Sequence, residues 1–323
     1  MKRIILILPC ILLAFCMDAA TFAGGRLEDR TLRLDYIFSG TDKTCDIALA
    51  HLRRLDGWAG RRVNLDTLPL RGNGQLTMTD KATGDTLYRT SFSTLFQEWQ
   101  ATEEATRVRR SFENVFLVPM PSAPVEIHVQ LFDFHDNIVA SMSHPVEPDD
   151  ILIKPAGGWK SGEGAAAGVD GQSWRVLHHG GSPEEKIDVV ILAEGYTAPE
   201  METFYSDARA AVESLFAHEP FGTMRDNFNI VAVGTPSGES GVSVPREGVW
   251  KETAVGSHFD TFYSDRYLTT PELFRMHDAL SDIPYEHIIV LANTDTYGGG
   301  GIYNSYTLTT AHHKAFAPVV VHE

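Results

Sequence analysis

The residues of this sequence with the clearest catalytic potential are His322 and Glu323. A helix carrying His-Glu-x-x-His presents two imidazoles on one face to Zn²⁺, and its glutamate activates the metal-bound water. The pair matches the first two residues of that motif. The same dipeptide occurs at His218-Glu219, but Pro220 follows it and Gly222 stands where the second histidine belongs. That copy is therefore predicted to be structural.

The residues before His322 supply the context that separates it from the earlier copy. Ala317-Pro318 predicts a helix start, and Val319 to Val321 gives that helix an apolar face. The stretch 301–310 alternates polar with β-branched and aromatic residues, which predicts an exposed edge strand able to bind an extended peptide. The residues predicted to bind substrate there are Ile302, Tyr303, Asn304, Ser305 and Tyr306.

Other chemistries fit the sequence poorly. The glycine run 298–301 lacks the spacing of a dinucleotide or P-loop fingerprint and is predicted to be a flexible turn. The serines within 237–243 do not form the G-x-S-x-G nucleophile motif, which disfavours a secreted α/β hydrolase that cleaves esters. Because 27 Lys and Arg stand against 43 Asp and Glu, for a net charge of −16, nucleic-acid binding is not expected.

The N-terminus predicts export. Lys2 and Arg3 precede the apolar stretch 4–15, and small residues follow, which is typical of a signal peptide cleaved after Ala23. Twelve apolar residues are too few for a membrane span, which needs about 20. A lipid anchor at Cys16 is the alternative to simple cleavage. We expect a secreted, periplasmic or cell-surface protein whose single remaining cysteine, Cys45, forms no internal disulfide.

The element pattern predicts an α+β protein of two domains after the signal peptide (1–23). Short alternating strands across 24–154 indicate an all-β, β-sandwich-like domain. A glycine-rich stretch, 155–182, is predicted to be a linker. Apolar strands alternate with helices across 183–323, including a capping box at Thr197 to Glu200, which indicates an α/β domain with a largely parallel sheet.

Several segments of the second domain resemble the secreted bacterial IgA-peptidase-like zinc metallopeptidases of peptidase family M64. The segments that carry the resemblance are 190–197 (Val-Ile-Leu-Ala-Glu-Gly-Tyr-Thr), 239–242 with Trp250, 259–268, 297–303 and the ending Val-Val-Val-His-Glu. The resemblance implies an all-β N-terminal domain and a metzincin-like (zincin) peptidase domain. It also implies that His322 is a zinc ligand, that Glu323 is the catalytic glutamate, and that extracellular proteins such as immunoglobulin A are the substrates.

In that family the second histidine falls three residues after Glu323, and a third ligand follows it. We therefore expect the sequence to be truncated at its C-terminus, within the metal-binding helix. The rival interpretation is a non-catalytic secreted or cell-surface binding protein that uses its N-terminal β-domain. Its support in the sequence is Trp58 and Trp99, which could be exposed ligand contacts but are more typical of core residues.

We predict that the 323-residue chain binds no catalytic zinc and cleaves no peptide, because one ligand cannot hold the ion. Metal analysis of the purified chain should find substoichiometric zinc, and a protease assay should show no chelator-sensitive cleavage. Stoichiometric zinc together with chelator-sensitive proteolysis would contradict the prediction.

Overall fold

The computed structural model describes residues 21–68, 70–156 and 173–323. Residues 1–20 of the predicted signal peptide, Cys16 among them, lie outside this range, as do residues 157–172 of the predicted linker. Thr21 and Phe22 pair with the strand that begins at Leu27. No helix in the described ranges combines the length and the apolar character needed to cross a bilayer.

In the described residues, fifteen strands and four α-helices form the two domains. The first domain contains β1 (Thr21–Phe22), β2 (Leu27–Gly40), β3 (Cys45–Asp56), β4 (Gly74–Asp80), β5 (Thr86–Phe92), α1 (Leu95–Gln100), β6 (Arg110–Pro121), β7 (Val125–Phe132), β8 (Ile138–Val146) and β9 (Lys154–Pro155). The second contains β10 (Ser173–His179), β11 (Ile187–Glu194), α2 (Met201–Phe216), β12 (Phe228–Gly234), α3 (Leu273–Ala279), β13 (His287–Ala292), β14 (Gly299–Ile302), β15 (Tyr306–Thr310) and α4 (Phe316–His322).

Two antiparallel sheets form the first domain, as the alternating pattern predicts. One contains β6, β2 and β3 with the short strands β1 and β9, and the other has the order β5-β4-β7-β8. Alternate residues of β4 and β7 are buried, so each strand turns one face toward a shared apolar core. Trp99 is 0% exposed and Trp58 is 3% exposed, and both belong to this core.

The structure differs from the expectation at two places near the domain boundary. The apolar stretch 151–153 has the composition of a strand, but it forms a turn in which Ile151 is 94% exposed and Leu152 is 80% exposed. Within the predicted linker, residues 173–179 form β10, which pairs antiparallel with β12. The second domain therefore includes residues that glycine-rich composition alone placed in the linker.

A six-stranded sheet forms the centre of the second domain, in the order β10-β12-β11-β13-β15-β14. Its four inner strands are parallel, and the two outer strands, β10 and β14, are antiparallel to their neighbours. Each face covers a separate apolar cluster, with α2 and α4 on one side and α3 on the other. Burial on both faces explains why β11 and β12 are continuous apolar runs in the sequence.

The carboxylate of Glu194 fixes the long loop that follows β12. Glu194 ends β11 and is fully buried, where its oxygens accept hydrogen bonds from the Thr253 hydroxyl (2.6 Å), the Val255 N–H (2.9 Å), and the Ser257 N–H and hydroxyl (2.8 and 2.6 Å). A buried carboxylate is tolerated when its acceptor sites are filled in this way. The loop continues into residues 258–268, which form one wall of the candidate site.

A buried arginine joins the two domains. Arg33 of β2 is 0% exposed and donates to Asp35 at 2.6 and 3.1 Å. The same guanidinium donates to Asp278 of α3 at 2.6 Å and to the Phe274 carbonyl at 3.0 Å. Beside these contacts, Val115 of β6 packs within the apolar cluster of the second domain. The first domain therefore contributes to the core of the second.

Replacing Arg33 with Met should destabilise the protein by about 3–5 kcal/mol, because Asp35 would remain buried without its main partner. Calorimetry or denaturant unfolding of the chain measures the change. As a matched control, Arg26→Met removes an exposed ion pair with Asp85 and should cost about 1 kcal/mol or less. Equal stabilities for the two variants would show that the Arg33 contacts do not hold the domains together.

Candidate active site

The helix α4 places His322 and Glu323 at the edge of the second sheet. It begins at Phe316 with Pro318 in its first turn, where a missing N–H costs no hydrogen bond. Val320 is buried in the cluster that α4 shares with α2, so the helix is held by its apolar face. The Glu323 N–H donates to the Val319 carbonyl at 3.0 Å, which continues the helical hydrogen bonding to the last residue.

His322 and Glu323 together border a cavity of about 340 Å³. The structure thus brings the two residues predicted to do chemistry to one cavity. Its other lining residues come from the 258–268 segment and the β13–β14 connection, and they are Ser264, Arg266, Tyr267, Tyr297, Gly298 and Gly299.

Glycines of β14 let the backbone approach Glu323. A Cβ at Gly299 would lie 2.7 Å from Glu323 Oε1, and a Cβ at Gly301 would lie 2.9 Å from the Glu323 carbonyl oxygen. The sequence interpretation of 298–301 as a flexible turn was wrong for 299–301, which are strand residues. A run of glycines beside β-branched residues was the available signal, since glycine in a strand often marks close backbone approach.

The outer edge of β14 offers backbone hydrogen-bonding groups beside Glu323. The Gly299 N–H donates to the Arg266 carbonyl at 3.2 Å, and the Gly299 carbonyl accepts from the Leu268 N–H at 3.2 Å. These groups point away from β15. Because the direction alternates along a strand, the N–H and C=O of Gly301 point outward as well. Because Arg266 and Leu268 occupy the groups at Gly299, the groups at Gly301 are the ones with the geometry to pair with an extended peptide.

The single edge strand expected across 301–310 is wrong. Residues 303–305 form a turn, and β15 lies inside the sheet between β13 and β14. Ile302 and Tyr306 are buried in the cluster beneath the sheet. Asn304 donates to Thr90 at 3.0 Å and to the Ser91 carbonyl at 2.9 Å, both in the first domain.

The five residues predicted to bind substrate nevertheless share one groove with Glu323. Ile302, Tyr303, Asn304, Ser305 and Tyr306 line a largely apolar groove of about 710 Å³ that reaches Glu323. The Tyr303 carbonyl accepts from the Ser93 N–H at 3.0 Å, which ties this hairpin to the first domain. A substrate role for these residues stays a prediction.

The charge environment of the cavity involves both domains. Partial burial raises the pKa of Glu323 from its ordinary value, and the neighbouring His322 and Arg266 oppose the shift. The Tyr267 hydroxyl donates to Glu98 of α1, and burial raises the pKa of both groups. The first domain therefore reaches the wall of the cavity through Glu98.

A zinc site needs several His, Cys, Asp or Glu side chains that converge on one point. Among the described residues, no group of three or more His, Cys, Asp or Glu side chains is placed to hold a metal ion. His312, which precedes α4 in the chain, forms a hydrogen bond with Asp207 at 2.8 Å instead. A catalytic zinc needs three ligands from the protein, so the described part of the chain does not form a complete site.

Comparison with known families agrees with both domains. A family model described as IgA Peptidase M64 matches residues 176–323, and one described as Peptidase M64 N-terminus matches residues 25–143. The chain belongs to the M64 peptidase family. As an M64 peptidase it has the predicted two-domain organisation, and its enzymatic class is that of the metallopeptidases. No curated protein matches the chain.

The next prediction concerns an M64 peptidase chain with measurable cleavage activity. Replacing Gly299 with Ala in that chain should reduce the activity by about 10- to 100-fold, because the added methyl group displaces the Glu323 carboxylate. The ratio kcat/KM, measured with one peptide substrate, reports the effect. Gly84→Ala is the control, since it strains a distant turn at φ +79° where nothing else is near. The control should lose stability and keep its activity, and similar kinetic losses in both would contradict the prediction.

Proposed function

We propose that the protein is a secreted zinc-dependent metalloendopeptidase that hydrolyses peptide bonds of extracellular proteins. The observation that carries this proposal is the position of Glu323 and His322 beside the outward edge of β14. Such an arrangement puts a carboxylate next to the backbone groups that would align a substrate peptide. The family description supports immunoglobulin A or other host glycoproteins as substrates.

The roles of the residues follow from their positions. His322 would be the first zinc ligand, and in a His-Glu-x-x-His motif the second histidine lies three residues after the glutamate. Zinc would supply a polarising charge for the attacked carbonyl and for water. Glu323 would accept a proton from the attacking water and return it to the leaving amine. The N–H and C=O of Gly301 would hold the substrate backbone in an extended conformation.

The overall arrangement also supports a zincin-type peptidase domain. Its antiparallel outer strand β14 lies beside the helix α4 that carries the candidate residues. Export through the predicted signal peptide (1–23), with cleavage after Ala23 or lipidation at Cys16, belongs to the same proposal. Trp58 and Trp99 are both buried, so these two residues do not support the binding-protein alternative.

The proposal is tested in a chain that carries the residues following Glu323. His322→Ala should abolish stoichiometric zinc, whereas Glu323→Gln should keep zinc and lower kcat by about 10²- to 10⁴-fold. Elemental analysis and cleavage of a quenched fluorescent protein substrate measure the two effects.

The dipeptide His218-Glu219 provides the matched control. Glu219 accepts from the Thr223 hydroxyl at 2.6 Å, away from the cavity, so Glu219→Gln should change neither zinc content nor kcat appreciably. Full activity in Glu323→Gln, or zinc retained by His322→Ala, would overturn the assignment of these residues.

A further inference from the structure

Arg266 stands out within the cavity that His322 and Glu323 border. Its backbone carbonyl is fixed by the Gly299 N–H at 3.2 Å, so the residue sits at the outer edge of β14. Its side chain is exposed and lines the cavity. Among the described residues, no carboxylate lies at ion-pair distance from this guanidinium and no acceptor bonds to it.

The acidic side chains of the same segment are engaged elsewhere. Asp260 and Asp265 both face Arg246, at 3.6 and 3.5 Å. Glu98, the acidic residue that the first domain brings to this wall, accepts from the Tyr267 hydroxyl. Within the described part of the chain Arg266 therefore makes no ion pair, and the carboxylate on which its charge acts is Glu323.

A free guanidinium next to a candidate catalytic centre has a defined chemical preference. Its planar set of donors matches the two oxygens of a carboxylate and can bind both at once. The hydroxyls of Ser264 and Tyr297 line the same cavity and add neutral polar groups that do not repel an anion. Glu323 lines this cavity too, beyond ion-pair distance from Arg266, and the Arg266 charge lowers its pKa.

We propose that Arg266 forms a subsite that binds a carboxylate of the substrate next to the bond that is cleaved. The inference rests on the proposed function and adds a substrate class, namely peptides with an Asp or Glu side chain, or a free C-terminus, at that position. Arg266 is then a specificity-determining residue. If Arg266 instead only supported Glu323 electrostatically, the protein would not distinguish between acidic and neutral substrates.

The test uses the chain with the residues that follow Glu323 and matched pairs of peptides. Within a pair, Glu is replaced by the isosteric Gln at one position beside the cleavage site, and each peptide is made with a free and an amidated C-terminus. The wild-type chain should prefer the acidic member by about 10- to 100-fold in kcat/KM. Comparison of free with amidated C-termini shows whether a side chain or the terminal carboxylate is the ligand.

Arg266→Gln should remove this preference while kcat/KM for the neutral peptide stays within about threefold, and Arg266→Lys should restore part of it. Arg107→Gln changes an exposed arginine outside the cavity and should keep the full preference. Thermal unfolding of each variant checks that it is folded. Equal losses on acidic and neutral peptides in Arg266→Gln, or no acidic preference in the wild type, would overturn the inference.

Binding to the inactive Glu323→Gln chain separates this inference from the proposed function. Fluorescence anisotropy with the same peptides should show tighter binding of the acidic member, and the difference should vanish when Arg266→Gln is added. Acidic preference in binding without any cleavage by the wild-type chain would contradict the peptidase proposal and keep the subsite. Cleavage without acidic preference would contradict the subsite and keep the peptidase.

Discussion

The buried guanidinium of Arg33 is the interaction on which the arrangement of the two domains depends. Removing a charge from water costs several kcal/mol, and the cost is offset only where hydrogen bonds satisfy the charge. Asp35 from the first domain and Asp278 with the Phe274 carbonyl from the second meet that requirement together. Neither domain could bury Arg33 in this way by itself. The hydrogen bonds of Arg33 fix how β2 faces α3. They thereby also fix the contact between α1 and Tyr267 at the cavity.

Much of the fold follows from local patterns in the sequence. The continuous apolar runs of β11, β12 and β13 and the capping box before α2 are each set by residues close together in the chain. Alternation in 125–131 predicted strand β7 of the sandwich-like domain for the same reason, because one face of the strand is buried. These elements are confirmed, since burial and backbone capping act over a few residues.

The remaining features depend on contacts between distant parts of the chain. The hairpin of β14 and β15 has the composition of one edge strand, and its turn is fixed by Asn304 binding to Thr90 and Ser91 of the other domain. The neighbours of Glu323, which are Arg266, Tyr267 and Gly299, come from two different segments. No spacing rule connects these segments with His322. The sequence therefore indicated the chemistry of the pair, while sheet topology determined its surroundings.

The hydrogen bond from Tyr267 to Glu98 has a consequence for how such proteins can diversify. Domains joined by small, wet interfaces can be exchanged between genes, because each keeps its own working parts. Here Glu98 of the first domain supports the cavity wall of the second domain, and Val115 of the first domain fills part of the second domain's core. A protein in which an unrelated domain replaced the first domain would lose this support of the cavity wall. The two domains are therefore expected to be inherited together, and sequence variation in one domain is constrained by the shape of the other.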